Sequence, residues 1–442
     1  MTEYRDWLAR HERIVTEPAA AEACITGFKS VVGSRKVILY GAHHHGRAVA
    51  SVLRDIGVEV FAFVDRRAGE LSEVLRIPVH PPHWLTSLTS PNDYLLICAT
   101  NPQNYALIAK DVEAVVDDSF ALEDGFLGHT LLRTSFCAGQ CARGQRLDLA
   151  NCAECSVMPH TCPTLRASLR KARNWPEGDS TKASTETTNI PYILGKRCSL
   201  RCDHCVEGIP DIETGKRQFT PKDVVLDDIR KMAAASDFIT VVDFAGGEPF
   251  LHPDMVEILR EVREIENIGM ISVFTNGTVK PQETLIEALC DERVTVTVSS
   301  YSNHLTEVQR SNIAATVSTL RSRGCQCFTN ENKTWLDCSS FDFVDDDEAT
   351  LTRRFANCLF ANCQRLDQGT IYRCLHQYVG AVTGQLPNAP EAIQIHQYSD
   401  EELARKLDHF NTLPYISTCS YCQLPFDAAV VPAGVQRKLV KL

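Results

Sequence analysis

The sequence predicts an α/β protein: a partial (βα)6 TIM-like barrel at its centre, an N-terminal Rossmann-like α/β domain, and a small C-terminal extension that binds clusters. Three observations lead there. Apolar strands alternate with amphipathic helices between about residues 186 and 345, the rhythm of a parallel sheet that curls fully or partly into a barrel. A strand, a glycine turn, a helix and a second strand follow one another from Lys36. Of the 19 cysteines in the 442 residues, 13 fall into three groups. These features divide the chain into 1–130, a Cys-rich bridge and linker at 131–185, the barrel at 186–345, and 346–442.

In the N-terminal domain KVILY, RAVASVLRDIG, VEVFAFVD and DYLLICAT read as strand, helix, strand, strand, with the turn GAHHHG (Gly41–Gly46) between the first two. Asp65 closes the second strand, where a ribose-binding acid stands in dinucleotide folds. His43 takes the place of the glycine that lets a pyrophosphate approach, which argues against a nicotinamide dinucleotide. The stretch resembles the small Rossmann-like domains attached to sugar-nucleotide-modifying enzymes. That resemblance implies nucleotide or nucleotide-sugar binding; a structural or docking role is the alternative.

The first 30 residues alternate charged and apolar positions as an amphipathic helix does, with no cationic start followed by an apolar core. No apolar run is long enough to span a bilayer, so no membrane partner is expected and the chain reads as cytoplasmic. A net charge of −11 without a basic stripe excludes long nucleic acids as partners. In a reducing compartment the cysteines are expected as metal ligands or core thiols rather than disulfides. Cys24, Cys98 and Cys290 are read as buried small hydrophobes, and Cys325, Cys327 and Cys338 as structural too.

Residues 131–163 place Cys137, Cys141, Cys152, Cys155 and Cys162 in 26 residues rich in Gly, Arg and Asn, with His160 nearby. Such crowding predicts a second auxiliary iron–sulfur cluster or a zinc ion. The polar, Ser/Thr-rich stretch Arg170–Asn189 is a linker.

The barrel opens with IPYIL, and CSLRCDHC follows at once. Cys198, Cys202 and Cys205 are spaced to wrap a loop around one cluster, and a cubane held by three thiolates keeps one iron open to a small molecule. Composition alone would give this triple about 0.03 times per chain, so it is a signal. Helical PKDVVLDDIRKMAAAS and Met255–Ile265 alternate with strands FITVVDF, ISVFT and VTVTVS. Gly246, Gly247, Glu248 and Pro249 end one strand, Thr275 and Asn276 the next, and Ser299 and Ser300 the one after. Chemistry in such sheets collects at these carboxyl ends.

CSLRCDHC, followed by AGGEPF and FTNGT in this order, resembles the cluster loop and cofactor motifs of the radical S-adenosylmethionine superfamily. The resemblance implies a [4Fe-4S] cluster on Cys198, Cys202 and Cys205, with S-adenosyl-L-methionine chelating the open iron. It also implies reductive cleavage to a 5′-deoxyadenosyl radical, with electrons from a flavodoxin or ferredoxin. Gly246, Gly247, Glu248 and Pro249 would hold the cofactor's amino group. Thr275, Asn276, Ser299 and Ser300 would line the rest of its site. His204 stands where relatives commonly have an aromatic residue near the adenine.

Beyond about Asp345 the rhythm stops. Cys358, ten residues, Gly369, four residues, Cys374 and then Cys419 and Cys422 resemble the twitch subdomain, the shorter relative of the SPASM extension. This implies one auxiliary iron–sulfur cluster, with Cys363 able to replace one ligand and a structural zinc as the alternative. The expected reaction is hydrogen abstraction from a nucleotide, nucleoside or sugar-like small molecule in a biosynthetic pathway. Alternatives are radical sulfur insertion using an auxiliary cluster as sulfur source, a peptide-modifying maturase, and a non-catalytic metal-binding scaffold.

Overall fold

The computed structural model describes residues 3–11, 18–42, 44–69, 71–99, 105–116, 122–142, 163–176, 189–301, 304–331, 334–356, 358, 360–361, 363–386, 388–424 and 428–437. The chain divides into two compact units, 1–168 and 169–442. Helix α6 (Pro163–Ala172) carries the boundary.

In the first unit, helices α1 (Glu3–His11) and α2 (Pro18–Val32) precede strand β1 (Lys36–Tyr40), helix α3 (His44–Asp55) and strand β2 (Val60–Val64). Strands β3 (Glu73–Val74), β4 (Ile77–His80) and β5 (Tyr94–Cys98), helix α4 (Tyr105–Glu113), β6 (Leu122–Asp124) and helix α5 (Gly125–Ala142) follow. The sheet order is β3-β4-β2-β1-β5-β6, parallel except for the β3–β4 hairpin. The chain reverses direction across the sheet between β1 and β5, the switch point of a doubly wound sheet. Gly46 lets α3 pack on the glycine turn, since a side chain there would meet the Gly41 carbonyl oxygen at 2.0 Å. Asp65 turns inward: its Oδ2 accepts from Ala42 N (2.9 Å) and its Oδ1 from Arg67 N (2.9 Å). The acid thus fastens the turn, and His43 lies outside the described residues.

In the second unit β7 (Asn189–Ile193), α7 (Lys222–Ala234), β8 (Ile239–Ala245), α8 (Met255–Arg263) and β9 (Ile268–Thr275) alternate. The alternation goes on through α9 (Glu283–Leu289), β10 (Val294–Ser300), α10 (Glu307–Ser322) and β11 (Gln326–Glu331). Next come β12 (Thr334–Leu336), α11 (Glu348–Ala356), β13 (Arg365–Asp367), β14 (Thr370–Tyr372), α12 (Leu375–Thr383), β15 (Ile393–Gln394), α13 (Asp400–Thr412) and β16 (Val430–Pro432). The main sheet runs β11-β10-β9-β8-β7-β13-β14-β15. Strands β7 to β11 are all parallel. The near-continuous apolar runs of β7 to β10 are buried, with Val225, Ile229 and Met232 of α7 and Ile258, Leu259 and Val262 of α8 in the same core.

The sixth parallel strand is β13, from beyond the point where the sequence rhythm stops; it joins the far edge, beside β7. It returns as a hairpin through Gln368 (φ 45°) and Gly369 (φ 76°), a two-residue turn that needs positive φ at both positions. Gly369, spaced between Cys358 and Cys374, is therefore the turn that brings Cys374 back to the end of β14.

One expectation about the cysteines is corrected. Cys290, at the end of α9, and Cys325, just before β11, form a disulfide, because α9 and β11 end side by side against the barrel core. Cys24, Cys98 and Cys327 are buried. Peptide mapping under non-reducing conditions should recover the Cys290 and Cys325 peptides linked; finding both alkylated without prior reduction would contradict the bridge.

Candidate active site

Cys198, Cys202 and Cys205 lie in the loop that leaves β7 at the carboxyl end of the sheet. Cys202 is 7% exposed and the other two are half-buried. Burial pushes the Cys198 and Cys205 thiols up to about 12 and raises Cys202, so as free groups they stay protonated near neutral pH. A positive cluster would replace those protons. The donor chemistry fits one: Asn276 Nδ2 donates to Cys198 Sγ (3.5 Å), Leu200 N donates to the same sulfur (3.4 Å), and Gln436 Nε2 donates to Cys202 Sγ (3.2 Å). Among the described residues no three His, Cys, Asp or Glu side chains are gathered as a single metal ion requires.

Two buried ion pairs grip the loop at its ends. Lys196 Nζ meets Asp367 Oδ2 at 2.6 Å, and Glu207 Oε1 meets Arg365 Nη2 at 2.8 Å. Arg365 and Asp367 stand two apart on β13 and so face the same way.

The segment Gly246–Glu248 packs on the same loop. Gly247 N donates to Gly195 O and Glu248 N to Arg197 O, each at 2.8 Å. A side chain on Gly247 would meet the Arg197 carbonyl at 2.0 Å, and Gly246 has φ +119°. The close approach that these glycines allow is to the segment leading into Cys198. The Glu248 carboxylate, 1% exposed, accepts from Phe250 N (3.0 Å), Thr275 Oγ1 (2.6 Å) and Asn276 N (2.8 Å). It therefore ties the end of β8 to the end of β9. Pro249 opens the short 3-10 turn that follows. Asn276, held by Glu248, reaches Ser199 Oγ (3.1 Å) as well as Cys198. Ser299 and Ser300 are half-buried at the end of β10, next to Tyr301, whose hydroxyl pKa is raised by burial.

His204 has φ +52°, and its Nδ1 meets Asp337 Oδ1 at 2.9 Å. With Cys205 and Val206 it forms one wall of a cavity partly open to solvent; Cys338, Phe341, Phe360 and His376 form another. Burial lowers the His376 pKa, its Nε2 meets Tyr421 O (2.9 Å), and its ring stacks on Phe341.

Cys358, Cys374, Cys419 and Cys422 all line a second cavity of about 360 Å³ with Phe355, Phe360 and His376. Burial raises all four thiols, Cys419 to about 11 and Cys422 to about 12. Cys363 is not among the lining residues; it packs with Ile193, Leu375 and Tyr378. Burial pushes the Cys338 thiol, read from sequence as structural, up to about 12, and Cys338 lines the first cavity. Of the middle group, Cys137 and Cys141 fall one turn apart on α5, whereas Cys152, Cys155, Cys162 and His160 lie outside the described residues. The contributions of Lys196, Glu207, Arg365, Asp367 and Gln436 were not visible in the sequence, where each is an ordinary polar residue far from its partner.

Removing one member of a buried pair strands the other charge, so Asp367→Leu should cost about 3–5 kcal/mol of stability, and Lys196→Met combined with Asp367→Leu should recover most of it. Chemical denaturation of the four chains of the cycle measures this. A second outcome concerns Asp243 on β8, beside Asn189 and Ser272, whose carboxyl is pushed by desolvation up to about 6. Unfolded, it titrates near 4. Between about pH 4 and pH 6 the folded chain holds a proton that the unfolded chain releases, so stability from this group falls as pH rises through that window. Asp243→Asn should flatten this segment of the stability–pH curve.

The description "Radical SAM superfamily" matches residues 192–326. A "GTP 3',8-cyclase" of Lactiplantibacillus plantarum is 33% identical over 90 residues, 20% of this chain and 26% of that protein. One from Limosilactobacillus fermentum is 34% identical over 120 residues, covering 25% and 33%. "Molybdenum cofactor biosynthesis protein 1" of Bos taurus is 33% identical over 90 residues, covering 19% and 13%. The chain thus spans about a third or less of these relatives. Among solved structures, anSMEcpe with bound AdoMet aligns at a TM-score of 0.36 and 13% identity, covering 51% of this chain and 84% of that one. BtrN in complex with AdoMet and 2-DOIA aligns at 0.35 and 12%, covering 52% and 87%. The βα alternation from β7, the cysteine loop that follows it and the match over 192–326 belong together: the chain carries a radical SAM domain, from a superfamily of enzymes.

Proposed function

We propose that the protein is a radical S-adenosylmethionine enzyme that abstracts hydrogen from a nucleotide, nucleoside or sugar-like small molecule. The observation that carries this is the cysteine triple on the loop after β7, within the stretch 192–326 that matches the radical SAM superfamily, with a cavity open to solvent between that loop and Cys338, Phe360 and His376. The relatives named GTP 3',8-cyclase carry a nucleotide in their name, which favours that substrate class.

Cys198, Cys202 and Cys205 would hold a [4Fe-4S] cluster, which together with S-adenosyl-L-methionine would supply the radical chemistry. The chain's own residues hold and enclose that chemistry. Asn276 and Gln436 donate to the sulfurs, Glu248 fixes Asn276, and β13 anchors both ends of the loop. Phe341, Phe360, Leu375 and Val379 give the cavity apolar walls that limit water around a radical. Cys358, Cys374, Cys419 and Cys422 would hold an auxiliary iron–sulfur cluster across the cavity lined by Phe360 and His376. The cysteines at 137–162 are read as a further metal group, and a flavodoxin or ferredoxin as electron donor.

The anaerobically reconstituted protein, given dithionite and S-adenosyl-L-methionine, should release 5′-deoxyadenosine. The chain carrying Cys198→Ala, Cys202→Ala and Cys205→Ala should release none. Equal product from both, or none from either, leaves a non-catalytic metal scaffold as the reading.

A further inference from the structure

The segment after β16 crosses back to the cysteine loop, although nothing in its sequence, AGVQR, announces it. Cys202 and Gln436 pair as an antiparallel β-bridge, with Asp203 N donating to Val435 O (2.6 Å) and Arg437 N to Arg201 O (2.8 Å). Arg437 then clasps Asp211 through both terminal nitrogens (2.6 and 3.1 Å) and Asp203 through Nε (3.1 Å). Gly434 has φ +75°, and a side chain there would meet Tyr301 Cβ at 2.2 Å, so the strap reaches the loop only because this residue is glycine.

The orientation of the Gln436 amide is fixed by its partners. Arg201 N can only donate, so the oxygen Oε1 must face it (2.8 Å), and the amide nitrogen is left for Gly434 O (2.8 Å) and Cys202 Sγ (3.2 Å). An N–H aimed at a thiolate stabilises its negative charge, and hydrogen bonds to cluster sulfurs make a cluster easier to reduce. The strap also covers Cys202, the least exposed of the three cysteines.

We infer that Gln436 is a positioning residue for the radical chemistry: it sets the reduction potential of the cluster through Cys202, and residues 434–437 shield that sulfur. The inference rests on Cys198, Cys202 and Cys205 being the cluster ligands. It makes the far end of the C-terminal segment part of the catalytic cluster's surroundings.

Two variants and two readouts test it. Gln436→Glu keeps the oxygen for Arg201 N and loses the donor to sulfur; Gln436→Leu loses both. A redox titration followed by EPR should show the catalytic cluster's midpoint potential shifted to more negative values in both variants. In the metal-free protein, alkylation of Cys202 should be several-fold faster in Gln436→Leu than in the parent, while Cys327, buried in the same unit, stays unreactive and reports that this unit remains folded. Midpoint potentials equal to the parent's overturn the inference alone, as does unchanged Cys202 alkylation. A parent protein that assembles no cluster on the triple overturns the proposed function and this inference with it.

Discussion

Two salt bridges from one short strand hold the cysteine loop in place. Arg365 and Asp367 of β13 take Glu207 and Lys196, which bracket the three cysteines. Bringing four charges out of water is costly, and each pair is tolerable only because its members are matched in geometry and charge. Hydrophobic side chains could have filled the same space at less expense. What charged pairs add is register: each carbon-to-carbon distance is set by a hydrogen-bonded contact rather than by loose packing. The loop therefore has defined ends even though its eight residues from Cys198 to Cys205 form no helix or strand of their own.

With the ends fixed, the remaining contacts shape the interior. Glu248 gathers donors from its own turn and from the end of β9, which places Asn276 beside Cys198. Gly246 and Gly247 allow that turn to lie directly on residues 195–197. Gln436 arrives from the opposite side of the sequence to meet Cys202. The three thiols are thus pre-positioned, and burial raises the pKa of each, so a ligand that takes a thiolate must displace its proton. The loop, the ends of three strands and the chain beyond residue 360 form one cooperative arrangement.

How much of this was legible in the sequence follows from the range of each interaction. The cysteine triple, the glycine–glutamate turn and the strands KVILY, FITVVDF and VTVTVS are local patterns, and each is found where its pattern puts it. The spacing of Gly369 was legible as a motif, while its physical reason, a positive-φ hairpin turn, needed the fold. Lys196 and Asp367 are 171 residues apart, and Gln436 and Cys202 are 234 apart; no periodicity links them. β13 escaped notice because a three-residue strand has no alternation to read. The Cys290–Cys325 bridge was missed because compartment chemistry, applied to the whole chain, says nothing about which two helix and strand ends meet.

The central claim is that Cys198, Cys202 and Cys205 hold a cluster with one iron free for S-adenosyl-L-methionine. The most direct measurement is the EPR spectrum of the reduced, reconstituted protein before and after S-adenosyl-L-methionine is added. A signal whose g-values change on addition, and which disappears when the three cysteines are replaced while the signal of any other cluster remains, is the predicted result. A spectrum indifferent to S-adenosyl-L-methionine, or a responsive signal that survives loss of the three cysteines, would contradict it.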